Sequence, residues 1–248
     1  MRFFKIIHFL SLDVVLGAVS LHMMFYHAFL HVLPRWEYDV LLGISVYWVY
    51  GLDRQIDNLS SDTPDELHTF HGQNQRNLLS VLLLLACVNA YLLFRVDFEI
   101  VRLGMILLLI LVGYWAAWAF GLFRRFWGSK EFFTALIYSA GVLLPTIIMG
   151  RFQVMWGMSL FLLAWLNLCL FTWIDSGGNK LFIQLLIWVA FAWLLMINFV
   201  GFQRDVGFIL FLIWGIHAGI YYFRPQMHMR PWAEWAFASP LIYILCNL

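Results

Sequence analysis

The chain has 248 residues, of which 63% are hydrophobic and 12% charged, with a formal net charge of +1 and a mean hydropathy of +0.83. Such an apolar composition excludes an ordinary soluble domain, and the near-neutral charge, with no Lys/Arg-rich tail, excludes a large basic surface for nucleic acid. Cys87, Cys169 and Cys246 stand singly inside apolar stretches, without the close spacing of a zinc site or a redox pair, and read as small buried hydrophobes.

A spanning helix needs roughly 17 to 25 residues. Nine stretches meet that length, at 6–33, 37–53, 76–94, 99–122, 131–149, 153–174, 180–201, 206–223 and 231–247. Arg2 and Lys5 precede the first, as in a signal peptide. Its apolar run outlasts the roughly 7 to 15 residues of such a signal, however, and carries Asp13, His22, His27 and His31, so a retained helix is expected. Pro34, Pro64, Gly128, Gly150, Gly177, Gly178 and Pro225 punctuate the connections. Pro145 and Pro240 fall inside spans, where membrane helices tolerate them. The expected fold is all-α and integral to the membrane: nine transmembrane helices in one bundle, with residues 1–248 forming a single polytopic domain.

Lysines and arginines set the orientation. Arg2, Lys5, Arg54, Arg76, Arg124, Arg125, Lys130, Lys180, Arg224 and Arg230 gather on one side, and Arg35, Arg95, Arg102, Arg151 and Arg204 on the other. The bias predicts a cytoplasmic N-terminus and an external C-terminus. The connections after the second and sixth spans then open on the same cytoplasmic face.

Both of those connections carry carboxylates. Asp53 and Asp57 close the second span, four residues apart and so on one helix face. Like charges at that spacing repel by a few tenths of a kcal/mol, and a cation relieves the repulsion. Asp62, Asp65, Glu66, His68 and His71 follow. Asp175 ends the sixth span, with Asn179 four residues on. Oxygen donors of this kind suit magnesium, which takes one or two carboxylates together with substrate phosphates. Arg54, Arg76, Arg124, Arg125, Lys130 and Lys180 add positive charge for an anionic headgroup.

Asp13 is expected to face the bundle, either toward this vestibule or in a helix-to-helix hydrogen bond. The pairs His27/His31 and His68/His71 have metal-ligand spacing, but the predicted topology puts them on opposite faces, which argues against a di-iron centre. A haem between His217 and a histidine of the first span stays open. Asn89, Asn167 and Asn198 are expected to bond between helices.

Nine spans with aspartates after the second and sixth resemble the UbiA-type superfamily of intramembrane prenyltransferases. The wording is similar to a bacterial branch of it, in Tyr50-Gly-Leu-Asp53-Arg54-Gln-Ile-Asp57, in Phe70-His71, in the run from Lys130 and Glu131 through Tyr138 and Gly141 to Pro145, and in the run from Arg230 through Glu234 to Pro240. The resemblance covers nearly the whole chain. It implies a bacterial inner-membrane enzyme that moves a polyprenyl group from its diphosphate to an aromatic or other lipophilic acceptor. Asp53 and Asp57 would hold one magnesium ion, Asp175 and Asn179 a second, and Arg54, Lys130 and Lys180 the diphosphate. Two positions depart from the family's motifs. Val49 and Tyr50 replace an Asn-Asp pair, and Asn179 replaces an aspartate, which removes negative charge from both halves. These departures imply the alternative of a non-catalytic UbiA-like subunit that binds a lipid, quinone or pigment, or scaffolds a larger membrane complex.

Overall fold

The structure, a computed structural model, describes residues 7, 9–60, 70, 72–120, 128–151, 153–200, 203–223 and 230–247, without the side chains of 53–60, 118–119, 175–176 and 230–231. The described residues form ten helices: α1 (Leu12–Leu30), α2 (Trp36–Ser60), α3 (Gln75–Leu93), α4 (Phe98–Ala119), α5 (Ser129–Ile148), α6 (Val154–Ser176), α7 (Lys180–Val200), α8 (Arg204–Phe223), α9 (Arg230–Ala236) and α10 (Pro240–Asn247). Seven of them, α1 and α3 to α8, are long and apolar enough to cross a membrane. Large apolar side chains such as Leu83, Leu109, Leu185, Phe199 and Phe208 stand on the outside of the bundle at more than 60% exposure. In water that surface would drive aggregation; in lipid it costs nothing. The chain is a multi-pass helical membrane protein.

Most helix limits fall within two residues of the expected ones, and the exceptions have local causes. Residues 7 and 9 are helical, but the helix that runs on to Leu30 starts at Leu12, because Ser11 takes a left-handed conformation, φ 55°. The second runs on to Ser60, seven residues past its apolar stretch, so Asp53 lies within the helix and Asp57 in its last turn. The last segment is broken. Residues 237–239 form tight turns, with the Phe237, Ala238 and Ser239 N–H groups donating to the Glu234, Trp235 and Ala236 carbonyls. Pro240 begins a fresh helix, at the position where its missing N–H is not needed. Pro145, by contrast, stays inside α5 as expected. Gly177 ends α6 at φ 71° and returns its N–H to the Trp173 carbonyl at 2.9 Å, a left-handed stop that any Cβ would strain.

Helix α1 is the axis of the bundle, packed against α2, α5, α9 and α10. Lipid offers no hydrophobic drive between helices, so close van der Waals approach must hold them, and small residues permit it. A Cβ on Gly17 would lie 2.8 Å from the Phe237 Cβ, and one on Gly43 3.3 Å from methyls of Val15 and Val19. Phe25, Met24, Leu21, Trp156, Leu160 and Leu163 fill the centre with almost no exposure. Helices α3 and α4 flank this core: α3 rests on α2 and α4 on α5. Trp48 of α2 donates its indole N–H to the Leu82 carbonyl of α3 at 2.8 Å, and Asn89 donates to Ser45 at 3.3 Å.

Asn89 therefore bonds between helices as expected, and so does Asn167 of α6, whose Oδ1 lies 2.8 Å from Nε2 of His217 on α8. Asn198 does not, since its amide returns to the Leu194 carbonyl of its own helix at 2.8 Å. Its side chain fills the gap over Gly207, where a Cβ would lie 2.2 Å from Oδ1. Cys169 is buried, while Cys87 and Cys246 face outward, contrary to the buried reading; a lipid-facing position accepts a small hydrophobe as readily as a core does.

At the end where α1 joins α2, charged groups tie two connections together. Arg35 contacts Glu37 at 3.3 Å and donates to the Arg95 carbonyl at 3.1 Å, Arg95 lies 3.9 Å from Glu37, and the Tyr38 hydroxyl donates to Asp97. Glu37 holds the exposed Arg35 guanidinium above its ordinary pKa, so Arg35 is charged at any working pH.

Candidate functional site

Five helices meet around an interior cavity lined by Val14 of α1, Tyr50 of α2, Tyr138 of α5, Ala164, Asn167 and Leu168 of α6, Glu234 of α9 and Phe237 just beyond it. Its free volume is about 20 Å3, room for about one water molecule. A hydroxyl, a hydroxyl, an amide and a carboxylate converge there in an otherwise apolar surround. Glu234 is only 5% exposed, and polar groups at such depth are costly unless bonded or used.

Helix directions decide what lies beyond the cavity. Val14, His22 and Tyr26 of α1 meet Tyr138, Val142 and Met149 in order, so α1 and α5 run parallel. The tight α1–α2 connection reverses α2, and α6 returns antiparallel to α5, with Thr172 beside Glu131 and Trp165 beside Gly128. Helices α2 and α6 thus leave the cavity in the same direction. Three residues on from Tyr50, α2 reaches Asp53 and then Asp57; seven on from Leu168, α6 reaches Asp175.

The expected site residues divide into two groups. Asp53, Arg54, Asp57 and Asp175 lie on helical backbone at that end, and their side chains are outside the described residues, as are Asp62, Asp65, Glu66, His68, His71, Arg124 and Arg125. Asn179, Lys180 and Lys130 are described. Asn179 is exposed and caps α7, its Oδ1 accepting the Phe182 N–H at 3.2 Å. Lys180 opens α7 with an exposed side chain, and its carbonyl accepts the Tyr221 hydroxyl at 3.4 Å. Lys130 sits half-buried in the first turn of α5.

The donor set fits magnesium. Helix α2 is unbroken across Asp53 and Asp57, which keeps the pair on one face, and three carboxylates with an amide oxygen are hard ligands that zinc or copper would not favour. Asn179 has already given one lone pair to its helix cap. Among the described residues, no three of His, Cys, Asp and Glu gather as a metal group.

Two acids and one histidine buried in the bundle were not singled out by spacing. Glu131, 8% exposed, accepts the Thr172 hydroxyl at 2.6 Å. Thr172→Val removes that donor from a buried carboxylate and should lower stability by about 1 to 3 kcal/mol, read as a fall in unfolding temperature in detergent. Thr172→Ser, which keeps the hydroxyl, should recover most of the loss.

His217 is fully buried. Its Nδ1 lies 2.7 Å from the Ile213 carbonyl and its Nε2 2.8 Å from Oδ1 of Asn167. Only an N–H satisfies a carbonyl, so Nδ1 is the donor. In the neutral ring Nε2 is then the acceptor, and Asn167 must turn its NH2 toward it. With both nitrogens engaged, His217 is not available to a haem. His27 is likewise occupied, by the Tyr243 hydroxyl at 3.3 Å, while His31 is exposed beyond the end of α1. The signal for Glu131 and Glu234 was in the sequence, as single acids beside apolar spans.

No known protein family, curated protein or solved structure matches this chain.

Proposed function

We propose that the chain is a UbiA-like intramembrane prenyltransferase of a bacterial inner membrane, crossing nine times with its N-terminus cytoplasmic and its C-terminus outside. The observation that supports this reading is the polar cavity in the bundle interior, from which α2 and α6 both lead toward aspartates at the same end. In the nine-span reading, α2 is the second crossing and the broken pair α9 and α10 the ninth.

Asp53, Asp57 and Asp175, with Asn179, hold magnesium, which when bound supplies positive charge to the diphosphate. Arg54, Lys130 and Lys180 bind and orient the remaining phosphate oxygens. The prenyl C–O bond breaks, and its electron pair leaves with the diphosphate. A carbon of an aromatic or other electron-rich acceptor bonds the allylic carbon, and Glu234 on the cavity wall takes the proton the acceptor gives up. The rings of Tyr50, Tyr138 and Phe237 exclude water and face the developing positive charge. A cavity of one-water size opens to an acceptor only when these side chains part, so binding is read separately from turnover.

Purified protein in lipid nanodiscs, given magnesium and a labelled polyprenyl diphosphate, should bind the label saturably, and Asp53→Ala with Asp57→Ala should weaken binding at least tenfold, about 1.4 kcal/mol. Equal binding by wild type and the double variant sinks the prenyltransferase reading. The loss of charge at Tyr50 and Asn179, and the use of Asn179 as a helix cap, favour a second reading: a UbiA-like subunit that holds a lipid, quinone or pigment, or scaffolds a larger complex, without transfer. Binding without turnover across quinone and phenolic acceptors selects it.

A further inference from the structure

A second polar site lies at the other end of the same core. His22, in the middle of α1 and 1% exposed, has its Nδ1 2.9 Å from the Val142 carbonyl of α5. Its Nε2 lies 3.6 Å from Oδ1 of Asp39 on α2, and among the described residues neither of these two atoms has a hydrogen-bond partner. Proton counting then constrains the pair. The Val142 carbonyl requires an N–H at Nδ1, which in a neutral ring leaves a lone pair on Nε2. An ionised Asp39 presents lone pairs as well. Two lone pairs would face each other in a dry interior, with an uncompensated charge costing several kcal/mol.

One proton removes both problems at once. Placed on either atom, it turns the two acceptors into a donor and an acceptor and makes the pair neutral overall. A metal ion in the gap would have two protein ligands, short of the four of a structural zinc site, and no third His, Cys, Asp or Glu among the described residues joins them. We infer that His22 and Asp39 form a buried proton-binding dyad that holds one proton between Nε2 and Oδ1. Asp39 keeps 17% exposure while His22 is sealed, so the proton exchanges through the carboxylate, at the end of the bundle where α1 joins α2.

The surroundings are polar on every side of that exit. From α1 come Tyr26, its ring centroid 5.7 Å from that of His22, and the next residue, His27, which is bonded to Tyr243 of α10. From α2 and the two connections come Tyr38, Glu37, Asp97, Arg35 and Arg95. Tyr26 itself donates to Met149 at 3.6 Å. These charged groups already pair with one another, which leaves the dyad's proton to His22 and Asp39. The site is independent of prenyl transfer and stands or falls without it.

Nitrogen-15 NMR of histidine-labelled protein in nanodiscs tests it, with the His22 signals assigned through His22→Gln. In wild type the Nε2 resonance should sit away from the position of a bare ring nitrogen. Asp39→Asn, whose amide is a permanent donor, should keep it displaced, and Asp39→Ala should return it to the bare position. A bare Nε2 in wild type at every pH from about 5 to 9, or a displacement that a chelator reverses, would overturn the assignment.

Discussion

Gly17→Leu is expected to unseat the final segment from α1 and to lower the unfolding temperature sharply. The Cβ position of residue 17 lies 2.8 Å from the Phe237 Cβ, so the first atom of any side chain meets an atom fixed to the backbone rather than the yielding tip of a long side chain. The backbone there cannot retreat, because successive tight-turn hydrogen bonds hold residues 237–239 between α9 and α10. Overpacking of a core costs about 1 to 3 kcal/mol where neighbours relax, and more where they do not. The site should suffer with the fold. Phe237 walls the cavity and meets the His217 ring edge-on at 5.5 Å, so its displacement opens the place where Glu234 and Asn167 converge. Gly43→Ala is the control: its new methyl would meet side-chain methyls of Val15 and Val19 at 3.3 Å, which a small rotation relieves. Equal unfolding temperatures for Gly17→Leu and Gly43→Ala would show that the α1 contact with residue 237 is looser than the structure has it.

Trp156→Ala should be the most damaging truncation. Trp156 is fully buried in the cluster that joins α1, α5, α6, α7 and α8, and it is the largest side chain so enclosed. Since lipid is as apolar as the core, little of the loss comes from transfer out of water; the rest is lost contact around the void. At about 24 cal/mol per Å3, a void on the order of 130 Å3 costs about 3 kcal/mol. The indole N–H has no hydrogen-bond partner among the described residues. Trp156→Phe therefore removes an unsatisfied donor while leaving a smaller void, and should cost much less than Trp156→Ala. Chemical or thermal unfolding in detergent ranks the three proteins. A phenylalanine variant as unstable as the alanine one would mean that the indole N–H is bonded after all.

How much of this could be read beforehand follows from the kind of signal each feature leaves. Long apolar runs bounded by Gly and Pro mark helices well, and 76–94 and 180–201 differ from Gln75–Leu93 and Lys180–Val200 by a single residue at the limits that moved. Hydropathy marks the end of an apolar stretch rather than of a helix. For that reason the amphipathic continuation of α2 through Asp57 to Ser60 escaped it. The broken last segment escaped too, because a proline inside an apolar run looks the same whether the helix continues, as at Pro145, or restarts, as at Pro240. Partners across helices leave no local trace. Nothing near Asn198 says that it will bond its own helix and cover Gly207, and nothing near Asn89 says that it will reach Ser45.

By itself the sequence determined that this is a multi-pass helical membrane protein, because hydropathy sums over local residues and lipid demands that each segment satisfy its own backbone. It also determined where the acidic pairs lie along the chain, since helical spacing is a local property. Only the tertiary structure decided that Tyr50, Tyr138, Asn167 and Glu234 share one cavity, that His217 sets the Asn167 amide, and that His22 meets Asp39. Those pairs are 17 to 184 residues apart. Their meeting depends on which helices run parallel and how closely small residues such as Gly17 let them approach, and a one-dimensional pattern does not encode either.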